Sequence, residues 1–243
     1  MSSGVAELIQ NYTLADFRNE VKLRLNEATN DGLWTTAELN TYINHAQLRV
    51  VMDTRILKSD ETITVGSNVS WYTFPSDMLT PEWLYGPSLW GSLRLFPSFL
   101  LSLDKQYGGM YQWEKDSSND SQVFVPISFN QFILWPAPSS NTTVTLHHVP
   151  QPAALVNNSD TTLLPLVAQR AISIFAAYLA MLKNDMNKAM NFKNEYKQRI
   201  TSVLELTRHQ DQTRPTQMVP ARSFDRSQAN PSIRAFRNSR RYY

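Results

Sequence analysis

The sequence predicts an α+β fold: a helical bundle of two N-terminal helices and a C-terminal helical pair, with an inserted small antiparallel β section and an extended basic C-terminal arm. Three observations carry the prediction. Apolar residues recur at three- and four-residue steps towards both ends of the chain, the period of a helix that buries one face. The middle of the chain changes to short β-branched and aromatic runs interrupted by prolines, the texture of short strands. The last 36 residues carry 8 Arg, no Lys and 2 Asp, whereas residues 1–207 carry 15 basic and 19 acidic residues, so the body has a net charge of −4 and the tail one of +6.

Thr13 is a candidate N-cap, and Leu14, Phe17, Val21 and Leu25 follow it on one stripe, which predicts a helix over 14–28. Asn30, Asp31 and Gly32 break it. Thr35-Thr36-Ala37-Glu38 has capping-box spacing, and Leu39, Tyr42, Ile43, Ala46 and Val50 form the stripe of a second helix over about 36–57. Thr62–Val65 and Val69–Phe74 flank Gly66-Ser67-Asn68 and predict a hairpin; Val123–Ile127 and Gln131–Trp135 predict a second one around Ser128-Phe129-Asn130. Thr143–Val149 supplies another strand, and prolines such as Pro75, Pro126, Pro136 and Pro150 keep the strands short.

Helix returns at Leu163-Leu164-Pro165, with Pro165 suited to a first helical turn and a stripe of Val167, Ala171, Ile174, Phe175, Tyr178, Leu179 and Leu182. Over 164–207 two readings stand: one helix about 64 Å long at 1.5 Å per residue, or a break at Asn184 with Asp185 capping a second helix. The hairpin is the preferred reading, because Met186, Ala189, Tyr196, Ile200, Val203 and Leu204 then fold back on the preceding stripe. The chain is thus expected to divide into N-terminal helices (1–58), an inserted β-rich section (59–155), a C-terminal helical pair (156–210) and an Arg and aromatic arm (211–243).

A chain of 243 residues buries roughly 70–75% of its unfolded surface without needing staples. The absence of cysteine removes disulfide, thiolate and Cys-based zinc or iron–sulfur chemistry. Met1–Gln10 carries no basic residue and no apolar stretch of signal length, and no segment reaches the ~18 apolar residues of a membrane span, so the expectation is a soluble protein with no membrane partner.

Catalytic, cofactor and metal signals are weak. Glu27, Thr29, Asp31, Gly32 and Glu38 follow the spacing of an EF-hand loop, but Glu replaces Asp at the first position, Trp34 occupies a site for a small residue, and Glu38 already has a capping role. His45 is read as a hydrogen-bonded packing residue on the second helix. His147 and His148 are consecutive on a strand and point to opposite faces, so they cannot share one ion. Seven glycines include no phosphate-binding loop, and there is no nucleophile elbow or paired-carboxylate motif. No catalytic residue, cofactor or metal is assigned, and the chain is not read as an enzyme. Five of the six tryptophans lie between 71 and 135; they suit core or subunit contact, with a sugar-binding platform as the rival.

The tail is the most informative segment. Arg222, Phe224, Arg226, Arg234, Phe236, Arg237, Arg240, Arg241, Tyr242 and Tyr243 interleave guanidinium groups with rings, a pattern for nucleic-acid phosphates and bases or for acidic protein grooves. Its composition cannot build a core, so a partner is expected to hold it. Residues 213–243 reach on the order of 100 Å when extended.

The order of helix, helix, proline-interrupted sheet, helical pair and basic tail resembles the head-to-tail adaptor (connector) proteins of tailed bacteriophages, especially those of short-tailed phages. The residues that carry the resemblance are Leu33-Trp34-Thr35 leading into Ile43-Asn44-His45-Ala46, then Trp71-Tyr72-Thr73-Phe74-Pro75-Ser76-Asp77 and Leu134-Trp135-Pro136-Ala137-Pro138. Leu163-Leu164-Pro165, and Ala176–Ala180 followed by Asp185, Ala189 and Tyr196, extend it, so it spans roughly 14–207. The resemblance implies a structural virion protein at the portal vertex, assembled in the host cytoplasm as a ring, typically of twelve copies. Portal protein and tail or nozzle proteins would be its partners, DNA would pass through its channel without specific recognition, and the arm would dock on the portal or on neighbouring subunits. The alternative left by the residues alone is a nucleic-acid-binding protein with an Arg-rich arm.

Overall fold

The computed structural model describes residues 11–26, 32–86, 95–98, 117–118, 121 and 123–213. The expectations for Glu27, Thr29 and Asp31, for the far end of the first helix, for Trp90 and Trp113, and for the arm from 214 onwards lie outside the described residues. Those described form four helices and two small antiparallel sheets, an α+β fold. Those up to Glu205 belong to one compact unit.

The first two helices start as their sequences dictate. In α1 (Leu14–Arg24), Thr13 Oγ1 accepts from the Asp16 N–H at 3.2 Å and the Asp16 carboxylate accepts from the Thr13 N–H at 2.9 Å. In α2 (Thr36–Thr54), Thr35 and Glu38 repeat this exchange at 3.2 and 2.9 Å. Each cap contributes about 1 kcal/mol by satisfying donors that a helix start leaves orphaned. α1 closes at the Leu25 C-cap, with Asn26 at φ 58°, and α2 stops three residues before the expected 57 because Arg55 turns left-handed at φ 50°. Ile56 and Leu57 still pack on the helical core, which is why they extend the apolar pattern past the helix end.

The chain then enters the β section through β1 (Ser59–Val65), β2 (Trp71–Thr73) and β3 (Met78–Tyr85). β4 (Ser117–Ser118), β5 (Val123–Pro126), β6 (Gln131–Trp135), β7 (Ala137–Pro138) and β8 (Thr142–Pro150) follow. One sheet has the order β1-β8-β3 and the other β2-β6-β5; β4 and β7 form a short parallel pair. The expected β5–β6 hairpin is present, with Val123 opposite Trp135, and β8 is the expected strand at 143–149.

The first predicted hairpin does not form. β1 pairs with β8 from Ser59↔His148 to Val65↔Thr142, and β2 pairs with β6, so the Gly66–Asn68 turn carries the chain from one sheet to the other. That turn is fixed from outside. Ser67 N–H donates to Asn141 Oδ1 at 2.8 Å, Asn68 N–H to the Pro138 carbonyl at 2.7 Å, and Asn68 sits at φ 57°. The aromatic residues of the β2 segment decide its partner: Tyr72 and Phe74 lie 5.4 and 4.7 Å from the Phe132 ring of β6, and cross-strand aromatic contact outweighs a local turn signal.

α3 (Leu166–Met181) and α4 (Met186–Thr213) are separate helices, so the break at Asn184 and the Asp185 cap are as expected; Asp185 Oδ1 accepts from the Asn187 N–H at 2.9 Å and the Lys188 N–H at 3.2 Å. Pro165 sits at the N-cap, one place before the first turn. The buried face of α3 overlaps the predicted stripe at Ala171 and Ile174 and is wider than it. It also takes in Ala168, Gln169, Ile172, Ser173, Ala176, Ala177, Ala180 and Met181, while Val167 and Leu182 of the predicted stripe are exposed. Small side chains let α1 and α2 approach α3 closely, so the bulkier residues are left to the outer layer. There Phe175 meets Tyr196 at 4.7 Å and Tyr178 lies under Lys193, which runs α4 back along α3. Ala189, Tyr196, Ile200 and Val203 bury as predicted and Leu204 packs against them, but Met186 is 62% exposed, because it precedes the point where α4 meets the core.

Two cores result. The helical one joins Leu14, Phe17, Val21, Trp34, Ile43 and Val50 to the small residues of α3, and the sheet one gathers Phe74, Leu84, Phe124, Phe132, Leu134 and Leu146. β6 is buried on both faces, with Phe132 and Leu134 in the sheet core and Ile133 and Trp135 in a third, smaller cluster.

Candidate functional site

The helical body is held by polar clamps that fix which surfaces remain free. Gln169 is fully buried on α3; its Oε1 accepts from the Tyr12 N–H at 2.9 Å, and its Nε2 donates to the Leu164 carbonyl at 2.7 Å and to Asn11 Oδ1 at 3.1 Å. Asn44 brackets Leu155 through both backbone groups at 2.8 and 3.0 Å, and Gln47 Nε2 donates to the Ala153 carbonyl at 3.0 Å. Trp34 Nε1 donates to the Ala180 carbonyl at 3.0 Å. The Asp160 carboxylate accepts from the Val156 and Asn157 N–H groups at 2.8 Å each, and these backbone bonds hold it below the usual carboxylate range. The loop so shaped offers its carbonyls to the start of α1: Leu14 N–H donates to Asp160 at 2.9 Å and Ala15 N–H to Asn158 at 3.2 Å. Sequence reasoning missed these residues, although single Asn and Gln side chains set among apolar stripes were the available signal.

Glu38 uses both carboxylate oxygens: Oε2 in the capping box, and Oε1 accepting from Lys183 Nζ at 2.8 Å. The Lys183 bond first, and then the Thr35 N–H, lower its pKa to about 2. The carboxylate therefore serves the α2 start and the turn before α4, as its capping role implied. His45 is exposed, in contrast to the packing role expected of it. Two residues after Ile43 on a helix is a rotation of about 200°, which carries its ring away from the buried stripe. It lines a groove of about 300 Å³ with Leu48, Arg49, Met52, Phe175 and Leu179.

His147 and His148 do point to opposite faces of β8. His147 is stacked on Trp83 at 4.3 Å, its Nδ1 pairs with Asp60, and its Nε2 lies 3.6 Å from Glu82, which also pairs with Lys58. His148 is buried on the other side. Tyr196 donates to Asp53 Oδ2 at 2.8 Å; burial first and that carboxylate second push its pKa well above the usual tyrosine value. Burial pushes Tyr72 up to about 12.

Two kinds of apolar surface remain available to a partner. Phe129 at the tip of the β5–β6 hairpin is 94% exposed, beside a groove of about 440 Å³ lined by Leu79, Pro81, Pro126 and Ile127. On the helices, Leu23 and Met52 are exposed, and Leu23 borders a groove of about 550 Å³ with Tyr12, Asn19 and Glu20. None of the ten arm residues, Arg222 to Tyr243, lies within the described residues.

Residues 12–223 match the family model described as the SU10 adaptor protein. The chain belongs to this family. The match runs from the α1 cap through both sheets and the helical pair, the same order of elements on which the resemblance to phage adaptors rested. The protein is therefore a structural adaptor of the bacteriophage head-to-tail kind, and its short-tailed character fits the family. Family membership implies portal and tail proteins as partners and a place in the virion between head and tail. Arg222 is inside the matched span, and the other nine arm residues lie beyond it. No curated protein matches the chain. Among the described residues, no helix is long and apolar enough to cross a membrane.

Proposed function

We propose that this adaptor assembles as a ring of twelve copies that joins the portal to the tail and extends the DNA channel, with the C-terminal arm docking on the portal or on neighbouring subunits. The family match over 12–223 is the observation that carries the reading. Charge supports it: a body of net −4 gives DNA phosphates little to grip, so a chain of packaged DNA slides where a basic lining would hold it. The exposed Met52 groove and the Leu23 groove offer the modest apolar patches that neighbouring subunits would cover, and repetition around a ring turns weak contacts into a firm joint. Arg222, Phe224, Arg226, Arg234, Phe236, Arg237, Arg240, Arg241, Tyr242 and Tyr243 are the proposed docking residues, because guanidinium groups and rings recognise carboxylates and apolar pockets together.

Native mass spectrometry of the subunit with and without its portal ring, at low and moderate salt, tests the proposal. The expected result is a single stoichiometric ring on the portal, lost when residues 214–243 are deleted from a body that still folds. Failure to join the portal, with binding to DNA instead, would assign the arm to nucleic acid.

A further inference from the structure

We propose that Glu61, Asp77 and His148 form a binding site for one zinc-class divalent cation at the end of the β1-β8-β3 sheet. The topology brings the three together from separate segments. Ser59 stands opposite His148, so Glu61, two residues along β1, lies on the same face and diagonal to it. Asp77 arrives from the other edge of β8. It immediately precedes β3, Met78 pairs with Pro150, and the Asp77 carbonyl accepts from the Gln151 N–H at 2.6 Å. One ligand atom from each side chain, an imidazole nitrogen and two carboxylate oxygens, lies within 4.8 Å of the others.

His148 supplies the independent observation. Its side chain is 1% exposed, and neither Nδ1 nor Nε2 has a hydrogen-bond partner. A buried imidazole in a native fold normally has at least one partner, since an orphaned buried polar group is costly. Here a ring nitrogen lies within 4.8 Å of an oxygen on each of two exposed carboxylates and is hydrogen-bonded to neither. A cation held at about 2.0–2.2 Å by each ligand would satisfy the ring nitrogen and neutralise the acidic pair, with only the two surface side chains moving inward.

The donor set selects the ion. Calcium and magnesium take oxygen ligands, whereas one imidazole with two carboxylates suits zinc or a neighbouring transition ion. The bound ion would tie β1, β8 and the loop before β3 together, at the edge where β3 shows two register shifts, between Met78 and Thr80 and between Pro81 and Trp83. His147 takes no part, because it faces the opposite side with Asp60.

Isothermal titration of the chelator-treated full chain with zinc chloride, alongside magnesium chloride, tests the site. One equivalent of zinc should bind, magnesium should not compete, and the His148 ring signals should shift in the NMR spectrum. The double substitution Glu61→Gln and Asp77→Asn should weaken binding at least about tenfold while leaving the metal-free melting temperature unchanged, as both side chains are exposed. His147→Gln should bind zinc within about twofold of the parent. Absence of stoichiometric binding, binding unaffected by the double substitution, or binding lost only with His147→Gln would each overturn the proposal.

Discussion

Replacing Gln169 by Met keeps the length of the side chain and removes the amide that closes the helical body. Three hydrogen bonds go with it, at 2.9, 2.7 and 3.1 Å. Asn11 is exposed and rehydrates, so its loss counts for little. The Tyr12 N–H is half-buried and the Leu164 residue is 1% exposed, so two backbone groups are left short of partners, each worth about 1–3 kcal/mol. Met relieves the desolvation of the buried amide, which offsets part of this, and the net expectation is a loss of about 2–4 kcal/mol. For a unit of this size that lowers the melting temperature by about 5–15 °C. Urea unfolding followed by tryptophan fluorescence measures it, with a lower midpoint at unchanged slope. Hydrogen exchange gives the local readout: the Tyr12 amide should exchange faster in the variant. A loss below about 0.5 kcal/mol, the scale of an ordinary surface change, would refute the view that this buried amide clamps the start of α1 to α3.

Three further expectations concern packing and pH. Ala177→Leu, at a fully buried position where α3 meets its neighbours, should cost about 1–3 kcal/mol by overpacking and is read from the thermal midpoint. The folded-state pKa of Tyr72 is raised to about 12, so its contribution to stability is complete below pH 10 and is lost as pH rises towards 12; Tyr72→Phe should flatten that decline in melts between pH 9 and 12. Glu38 is depressed to about 2 from an ordinary 4.5, so its contribution is present above pH 4.5 and is lost as pH falls towards 2, and Glu38→Gln should reduce the acid-side slope over that window.

What was legible in the sequence was local. Both capping boxes, the Asp185 cap and the β5–β6 hairpin depend on residues within a few positions of one another, and each formed where its spacing placed it. What failed depended on distant partners. The Gly66–Asn68 turn looked like a hairpin until Phe132 competed for Tyr72 and Phe74, and that competition is invisible to any window around the turn. Hydrophobicity misplaced the two ends of the α3 stripe for a related reason: its inner face was chosen by how closely other helices approach, which favours Ala177 and Ala180 over the larger Val167 and Leu182. The same limit governs function. The histidine pair was correctly split between faces by strand alternation, but Glu61 and Asp77 join His148 only through β pairing.

The buried amide of Gln169 reaches Tyr12 across 157 residues of chain. At about 5–20 residues per second, a ribosome takes on the order of 10–30 s to make that stretch, and through all of it the apolar face of α1, with Leu14, Phe17 and Val21, has no α3 to settle on. The part of the α1 face that packs on α3 therefore stays without that partner until α3 has been made. A nascent subunit cannot display its finished helical surface until synthesis has passed α3, so any assembly step that reads that surface must wait until α3 has been made.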